Sequence, residues 1–307
     1  MRLVSYLSRD AVQAGIDQSG FVVPLSEAAR EAGLPHLAAA TVQVLDVLGA
    51  SAADRERLAH AAAGLTGEPT GQLHLLAPVP TPPKILCIGL NYASHAEEAR
   101  RAGLPVPERP IVFAKFSSCL VAPGQPVVLP AEAPDHVDYE GELAVVIGVG
   151  GKHIAAHDAM DHVAGYMPFN DVSARDLQLA GSQWTMGKAH DSSAPCGPAL
   201  VTADEVPDYT ALRVRTLLND EVVQDGSLSE LIFSIPKLIE YVSAVITLQT
   251  GDIIATGTPA GVGHARKPPL YLRDGDRIEV EIEGLGLLTN DVVHEHVPAQ
   301  LTGQGVR

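Results

Sequence analysis

Aromatic side chains are scarce in this chain: five Phe, seven Tyr and one Trp make up 4% of its 307 residues. So few rings leave no stacking platform for single-stranded nucleic acid. Basic residues are also outnumbered, 21 Lys and Arg against 37 Asp and Glu, for a formal net charge of -16. No run of Lys or Arg breaks that acidity, so a polyanionic partner would be repelled and nucleic acid is excluded. An acidic metabolite is not excluded, because a bound divalent cation reverses the sign of the field around it. Cysteine is limited to Cys87, Cys119 and Cys196. An odd count without a C-x-x-C pair argues against a disulfide scaffold and for a reducing compartment. The opening MRLVSYLSRD lacks the apolar stretch of a secretory signal. The apolar runs also fall far short of the roughly 18 residues that a membrane-spanning helix needs. The expectation is a cytoplasmic protein without a membrane partner.

What is present suffices for an ordinary core: 46% hydrophobic and 19% charged residues need no structural metal or disulfide to fold. The length suits one core domain with a smaller appendage. Residues 1–78 read as a small α+β domain, with short strands (RLVSYL, AVQAGI, FVVPL) around a Ser19-Gly20 turn and then two Ala-rich helices. Ser51, three residues before Asp54, is placed to cap the second helix. Pro78, Pro80, Pro82 and Pro83 cannot continue a helix or a central strand and mark a linker. Residues 79–307 form the second domain. It is β-rich, with short runs (KILCIGL, PIVFAKF, ELAVVIGV, GYMPFND, ALRVRTLLN, DIIATGT, RIEVEIEGLG) between Gly, Pro and Asp turns. Helical patterning returns chiefly in SHAEEARRAG and FSIPKLIEYVSAVITL. That is too little to alternate with the strands as a doubly wound sheet requires. The fold class is therefore α+β, and the absence of any nucleic-acid or membrane signature leaves a small-molecule site.

Four features carry chemistry. Residues two apart on a strand face one side, so Glu140 and Glu142 in DYEGELAVVI project together. Two carboxylates on an apolar strand resist burial unless a cation neutralises them. With Asp171, at the end of GYMPFND, they would form an oxygen set suited to Mg²⁺ or Mn²⁺. The competing reading, a solvated strand edge with Asp171 as a helix cap, fits the spacing equally well. His95 and Glu98 stand three apart on a helix, where the carboxylate can orient the imidazole as a general base; a solvated surface pair has the same spacing. Lys188, in WTMGKAHDSSAPCGP, either sits near bound carboxylates or is an exposed loop lysine. The run Thr256-Gly257-Thr258-Pro259-Ala260-Gly261-Val262-Gly263 either turns N–H and hydroxyl groups towards a substrate carboxylate or is a tight structural turn.

Taken together and in this order, KILCIGLNYASHAEE, VDYEGELAVVIG, GYMPFNDVSARD, GSQWTMGKAHDSSAPCGPALVT, GDIIATGTPAGVG and RKPPLYLRDGDRIEVEIEGLG resemble the fumarylacetoacetate hydrolase family over residues 84 to about 296. The similarity is greatest to its bacterial members and to the animal domain-containing protein 2 group. It implies a mixed β-roll, usually dimeric, with metal ligands at Glu140, Glu142 and Asp171. It further implies a water-activating dyad at His95 and Glu98, a catalytic lysine at Lys188, and substrate contacts at Gln178 and Thr258, with Gly257 beside them. The expected reaction is Mg²⁺- or Mn²⁺-dependent hydrolysis of a carbon-carbon bond in a small β-diketo acid through a metal-held enolate. Decarboxylation of oxaloacetate, or keto-enol tautomerisation or isomerisation of a 2-keto dicarboxylic acid, are the alternatives, and a non-catalytic metabolite binder is the remote one. Two positions depart from the family: Ala189-His190-Asp191-Ser192 stands where many relatives have an aromatic followed by Asp-Thr, and Phe116 replaces a proline.

Overall fold

The structure is a computed structural model that describes residues 1–8, 10–101 and 107–297. Ala102 and Gly103, the end of the helix expected over SHAEEARRAG, lie outside the described residues, as do residues 298–307 of the second expected domain.

The chain opens with β1 (Arg2–Ser8), β2 (Ala11–Asp17) and β3 (Phe21–Pro24), with the Ser19-Gly20 turn in place between the last two. Three helices follow, α1 (Leu25–Glu31), α2 (Val44–Leu48) and α3 (Ala52–Ala63). The hydroxyl of Ser51 accepts the Asp54 N–H at 3.1 Å and caps α3. Replacing Ser51 with Ala is expected to lower stability by about 1 kcal/mol. The change should appear as a shift in denaturant midpoint at constant slope, and an unmoved midpoint would remove the cap from the stability account. β4 (Glu68–Pro69) and β5 (His74–Leu76) complete this segment.

After the proline stretch come β6 (Ile85–Gly89), α4 (Ala93–Arg101) and β7 (Ile111–Lys115). The central run holds β8 (Leu120–Val121), β9 (Val127–Leu129), β10 (Val137–Asp138), β11 (Gly141–Ile147) and β12 (Val163–Asn170). Next are β13 (Ser173–Ala174), α5 (Arg175–Leu179), α6 (Thr185–Lys188), β14 (Ala194–Pro195) and β15 (Leu200–Thr202). The chain then forms β16 (Arg213–Leu218), β17 (Glu221–Ser227), α7 (Ile235–Ser243), β18 (Ile253–Ala255), β19 (Arg277–Ile282) and β20 (Gly286–His294).

An 11-stranded sheet runs β4-β3-β2-β1-β15-β12-β11-β18-β6-β7, with β5 also on β1. The N-terminal strands are thus continuous with the rest of the sheet: Arg2 and Leu3 pair with Val201 and Leu200. One hydrophobic cluster joins Leu3, Val23 and Leu58 to Ile85, Val146 and Phe169. A five-stranded sheet, β17-β16-β19-β20-β9, covers the other face, where Leu143, Val145 and Tyr166 meet Val214, Val280 and Leu288. The result is the β-rich α+β architecture expected. All seven residues of β11 are buried, with Ala144 and Val146 in one core and Leu143, Val145 and Ile147 in the other. Double coverage explains why ELAVVI reads as an unbroken apolar run.

One expected helix is shorter than its pattern. FSIPKLIEYVSAVITL spans residues 233–248, but α7 covers only Ile235–Ser243. Val245, Ile246 and Thr247 are β-branched and restricted in χ1 in a helix, and Leu248 instead exchanges backbone hydrogen bonds with Gly151 at 2.8 and 3.0 Å.

Candidate active site

Glu140 lies one residue before β11, Glu142 within it, and Asp171 one residue after β12. Those two strands pair antiparallel with Gly141 opposite Asn170, and the Asp171 N–H extends the ladder to the Glu140 carbonyl at 2.9 Å. Register alone therefore carries the third carboxylate to the first two. Each contributes an oxygen within 4.8 Å of the others. Glu140, Glu142 and Asp171 are 7%, 1% and 0% exposed, which rules out a solvated strand edge. Nor does Asp171 cap a helix, since α5 starts after Ala174.

Burial, and then the charges of Asp171 and Glu140, push the Glu142 carboxyl well above the ordinary range. Burial acts the same way on Glu140, but Lys188 and Arg175 outweigh it and hold that carboxyl below its usual value. Asp171 Oδ1 is buried without a hydrogen-bond partner among the described residues; Lys115 Nζ lies 2.8 Å away, off the line of a hydrogen bond. Three buried hard oxygen donors, one of them resisting its charge, fit a divalent cation of the Mg²⁺ and Mn²⁺ class.

Three buried cations surround the carboxylates. Lys188, on α6 rather than in a loop, places Nζ 2.8 Å from both Glu140 Oε2 and Asp171 Oδ2. Burial disfavours its charge, but Asp171 and Glu140 prevail and raise its pKa. Lys115 is ringed by the carbonyls of Val172, Lys188 and Ser193. Arg175 bridges Asp138 and Glu140, each at 2.7 Å from Nη2, and its Nη1 donates to Gln178 Oε1 at 2.8 Å. That bond fixes the side-chain amide of Gln178 with its oxygen towards Arg175. Arg175, Lys115 and Asp138 were not singled out from sequence. Asp138 stood in the same DYEGE segment, and Arg175 four residues beyond Asp171.

The dyad is assembled: His95 Nδ1 is 3.0 Å from Glu98 Oε2, and the side chains are 13% and 25% exposed. Glu98 Oε1 accepts the Gly261 N–H at 3.0 Å. The glycine loop does face anions, but they belong to the protein. Gly257 N–H goes to Glu142 Oε2 at 2.8 Å, and Gly263 and His264 N–H go to Asp138 at 2.7 and 3.0 Å. Thr258 Oγ1 donates to the Gly141 carbonyl at 2.9 Å. Gly257 and Gly261 have φ of 101° and 103°. A Cβ at Gly257 would lie 2.8 Å from Asn91 Cβ, and one at Gly261 would lie 2.4 Å from the Val223 carbonyl, so both conformation and space demand glycine.

Of the two departures, Phe116 is 54% exposed after β7. At His190, burial followed by the charge of Lys115 brings the imidazole down to about 4, leaving a neutral ring at pH 7.

The family model described as "Fumarylacetoacetate (FAA) hydrolase C-terminal" matches residues 84–293. The chain belongs to the fumarylacetoacetate hydrolase family. It is 49% identical over 234 residues to the human protein named oxaloacetate tautomerase FAHD2A, mitochondrial, a match that covers 76% of this chain and 73% of the relative. It is 46% identical over 222 residues to oxaloacetate tautomerase YisK of Bacillus subtilis (strain 168), covering 72% and 73%. Among solved structures, maleylpyruvate hydrolase from Sphingobium sp. SYK-6, in complex with manganese(II) ion and pyruvate, superposes with a TM-score of 0.79. It is 32% identical and covers 96% of this chain and all of that one. No helix among the described residues is long and apolar enough to cross a membrane.

Proposed function

We propose that this fumarylacetoacetate hydrolase family enzyme interconverts the keto and enol forms of a small 2-keto dicarboxylic acid of the oxaloacetate type, with Mg²⁺ or Mn²⁺ held by Glu140, Glu142 and Asp171. The observation that carries it is the clustering of those three buried carboxylates within 4.8 Å. The names of the two tautomerases above, the relatives of higher identity, favour this reaction over the hydrolysis first expected, whereas that of maleylpyruvate hydrolase favours hydrolysis. A divalent cation there supplies a Lewis acid that acidifies the carbon next to a keto group.

The protein's own groups do the rest. His95, oriented by Glu98, takes the proton from that carbon and returns one to the oxygen: a C–H bond breaks, an O–H bond forms, and no other atom moves. Lys188 offsets the negative charge that gathers on oxygen between the two transfers. Gln178 and the loop at Gly257 and Thr258 flank the substrate. Carbon-carbon hydrolysis is the second reading, favoured by the complete dyad, in which His95 would instead deprotonate water.

The test incubates the protein with oxaloacetate or acetylpyruvate in Mn²⁺ or EDTA, following enol absorbance and products by NMR. Faster enol relaxation in Mn²⁺, lost in EDTA and with no bond broken, is the expected result. Pyruvate and acetate from acetylpyruvate would move the assignment to hydrolysis, and no metal-dependent turnover of either compound would sink both readings. His95→Gln should reduce turnover by roughly 10²- to 10⁴-fold while leaving Mn²⁺ affinity unchanged. A variant as active as wild type would remove the dyad from the mechanism.

A further inference from the structure

Gln224 lies on β17, in the five-stranded sheet, and is 2% exposed. Its side chain reaches both segments that build the site. Oε1 accepts the Gly141 N–H at 2.9 Å, between Glu140 and Glu142. Nε2 donates to Thr258 Oγ1 at 2.8 Å and to the Pro259 carbonyl at 3.0 Å. The amide has only one workable orientation. Gly141 N–H needs an acceptor and the Pro259 carbonyl needs a donor, so turning the amide over would oppose like groups at both ends.

That orientation determines the state of Thr258. Its hydroxyl receives the Gln224 N–H, so its own proton goes to the Gly141 carbonyl, 2.9 Å away. We propose that Gln224 is a positioning residue of the active site. It fixes the loop at Thr258 against the segment bearing Glu140 and Glu142, and it holds the Thr258 hydroxyl as an acceptor only. A substrate group meeting Thr258 meets a lone pair and must bring its own hydrogen, as the hydroxyl of an enol does. This deepens the proposed function and rests on it, because it assigns the loop to an enol-forming reaction.

The test compares wild type, Gln224→Met, Thr258→Val and the double variant with oxaloacetate and Mn²⁺. Melting temperature and Mn²⁺ affinity are measured alongside. Gln224→Met is expected to lower kcat by roughly 10- to 100-fold, the scale of a misplaced reacting group, with a smaller change in Mn²⁺ affinity. Adding Thr258→Val to it should cost little more, because the two act as one unit. Losses that multiply, or a Gln224→Met enzyme with wild-type kcat, would overturn the proposal. If Gln224→Met does not fold, Gln224→Glu retains an acceptor for Gly141 and removes the donors to Thr258 and Pro259; the same loss of kcat is expected, and its absence overturns the proposal. Amide exchange at Gly141 and over residues 256–261 reads the same strut without turnover. It should quicken in the Gln224 variants, and unchanged exchange would count against the proposal even if wild type proved inactive on oxaloacetate. Inactive wild type with altered exchange would sink the proposed function alone.

Discussion

Gly141→Ala is expected to lose divalent-metal binding and, with it, turnover. A Cβ added at Gly141 would sit 2.0 Å from Thr216 Oγ1 on β16, with Thr216 Cβ and Val280 Cγ1 both at 3.4 Å. The five-stranded sheet therefore presses on the one residue between the two glutamates, and only glycine lets it approach. Thr216 is fully buried and cannot swing into solvent, so the strain must pass into the backbone of Gly141. Overpacking of this kind costs typically about 1–3 kcal/mol. The larger consequence is displacement of Glu140 and Glu142 from their shared centre, where a shift near 1 Å reduces activity by roughly 100-fold. Titration with Mn²⁺ should show weakened or absent binding at a modestly lowered melting temperature. The clash has a built-in control: Thr216 Oγ1 has no hydrogen-bond partner among the described residues, so Thr216→Ala should be tolerated alone and should partly restore Gly141→Ala. If Gly141→Ala binds Mn²⁺ like wild type, or Thr216→Ala gives no rescue, close sheet contact is not what places the ligands.

This dependence on a second sheet also shows where reading the sequence reaches its limit. The pair Glu140 and Glu142 was legible because a strand's period of two is local. Asp171 was legible because it ends an apolar run. Burial then separated the two readings that spacing left open. Gln224 and Thr216 were not legible, because nothing local in NDEVVQDGS or RVRTLLN tells which neighbour a buried polar side chain faces. The glycine loop shows the same limit. Its composition announced donors turned towards an anion, but only tertiary placement reveals that Glu142, Glu98 and Asp138 are the anions. The short helices α5 and α6, of five and four residues, carry too little periodicity to register, so spacing alone left Lys188 open between a place beside the carboxylates and an exposed loop. The prolines from Pro78 to Pro83 do interrupt regular structure, whereas the pairing of β1 with β15 joins segments almost 200 residues apart and leaves no local trace.

Lys188→Met should separate metal binding from catalysis. The lysine is 2% exposed, lies 2.8 Å from Glu140 Oε2 and Asp171 Oδ2, and stands 5.1 Å from the centre of the Phe113 ring. Methionine fills most of the volume but leaves two buried carboxylates short of a counter-charge. Breaking a buried pair from one side destabilises by about 3–5 kcal/mol, so the variant should melt well below wild type in EDTA. A divalent cation held by the same carboxylates would supply charge there without competing with an ammonium. Mn²⁺ should therefore raise the melting temperature of Lys188→Met by more than it raises that of wild type, and the variant should bind Mn²⁺ no less tightly. Turnover should still fall by roughly 10²- to 10³-fold, the usual cost of removing a group that stabilises charge developing on oxygen. Metal can replace the lysine as counter-charge to the carboxylates, but it leaves the developing negative charge on the substrate without its ammonium. An equal Mn²⁺ response in the two proteins would show that Lys188 does not share the carboxylates with the metal. A variant that keeps its turnover would show that the lysine only stabilises the fold.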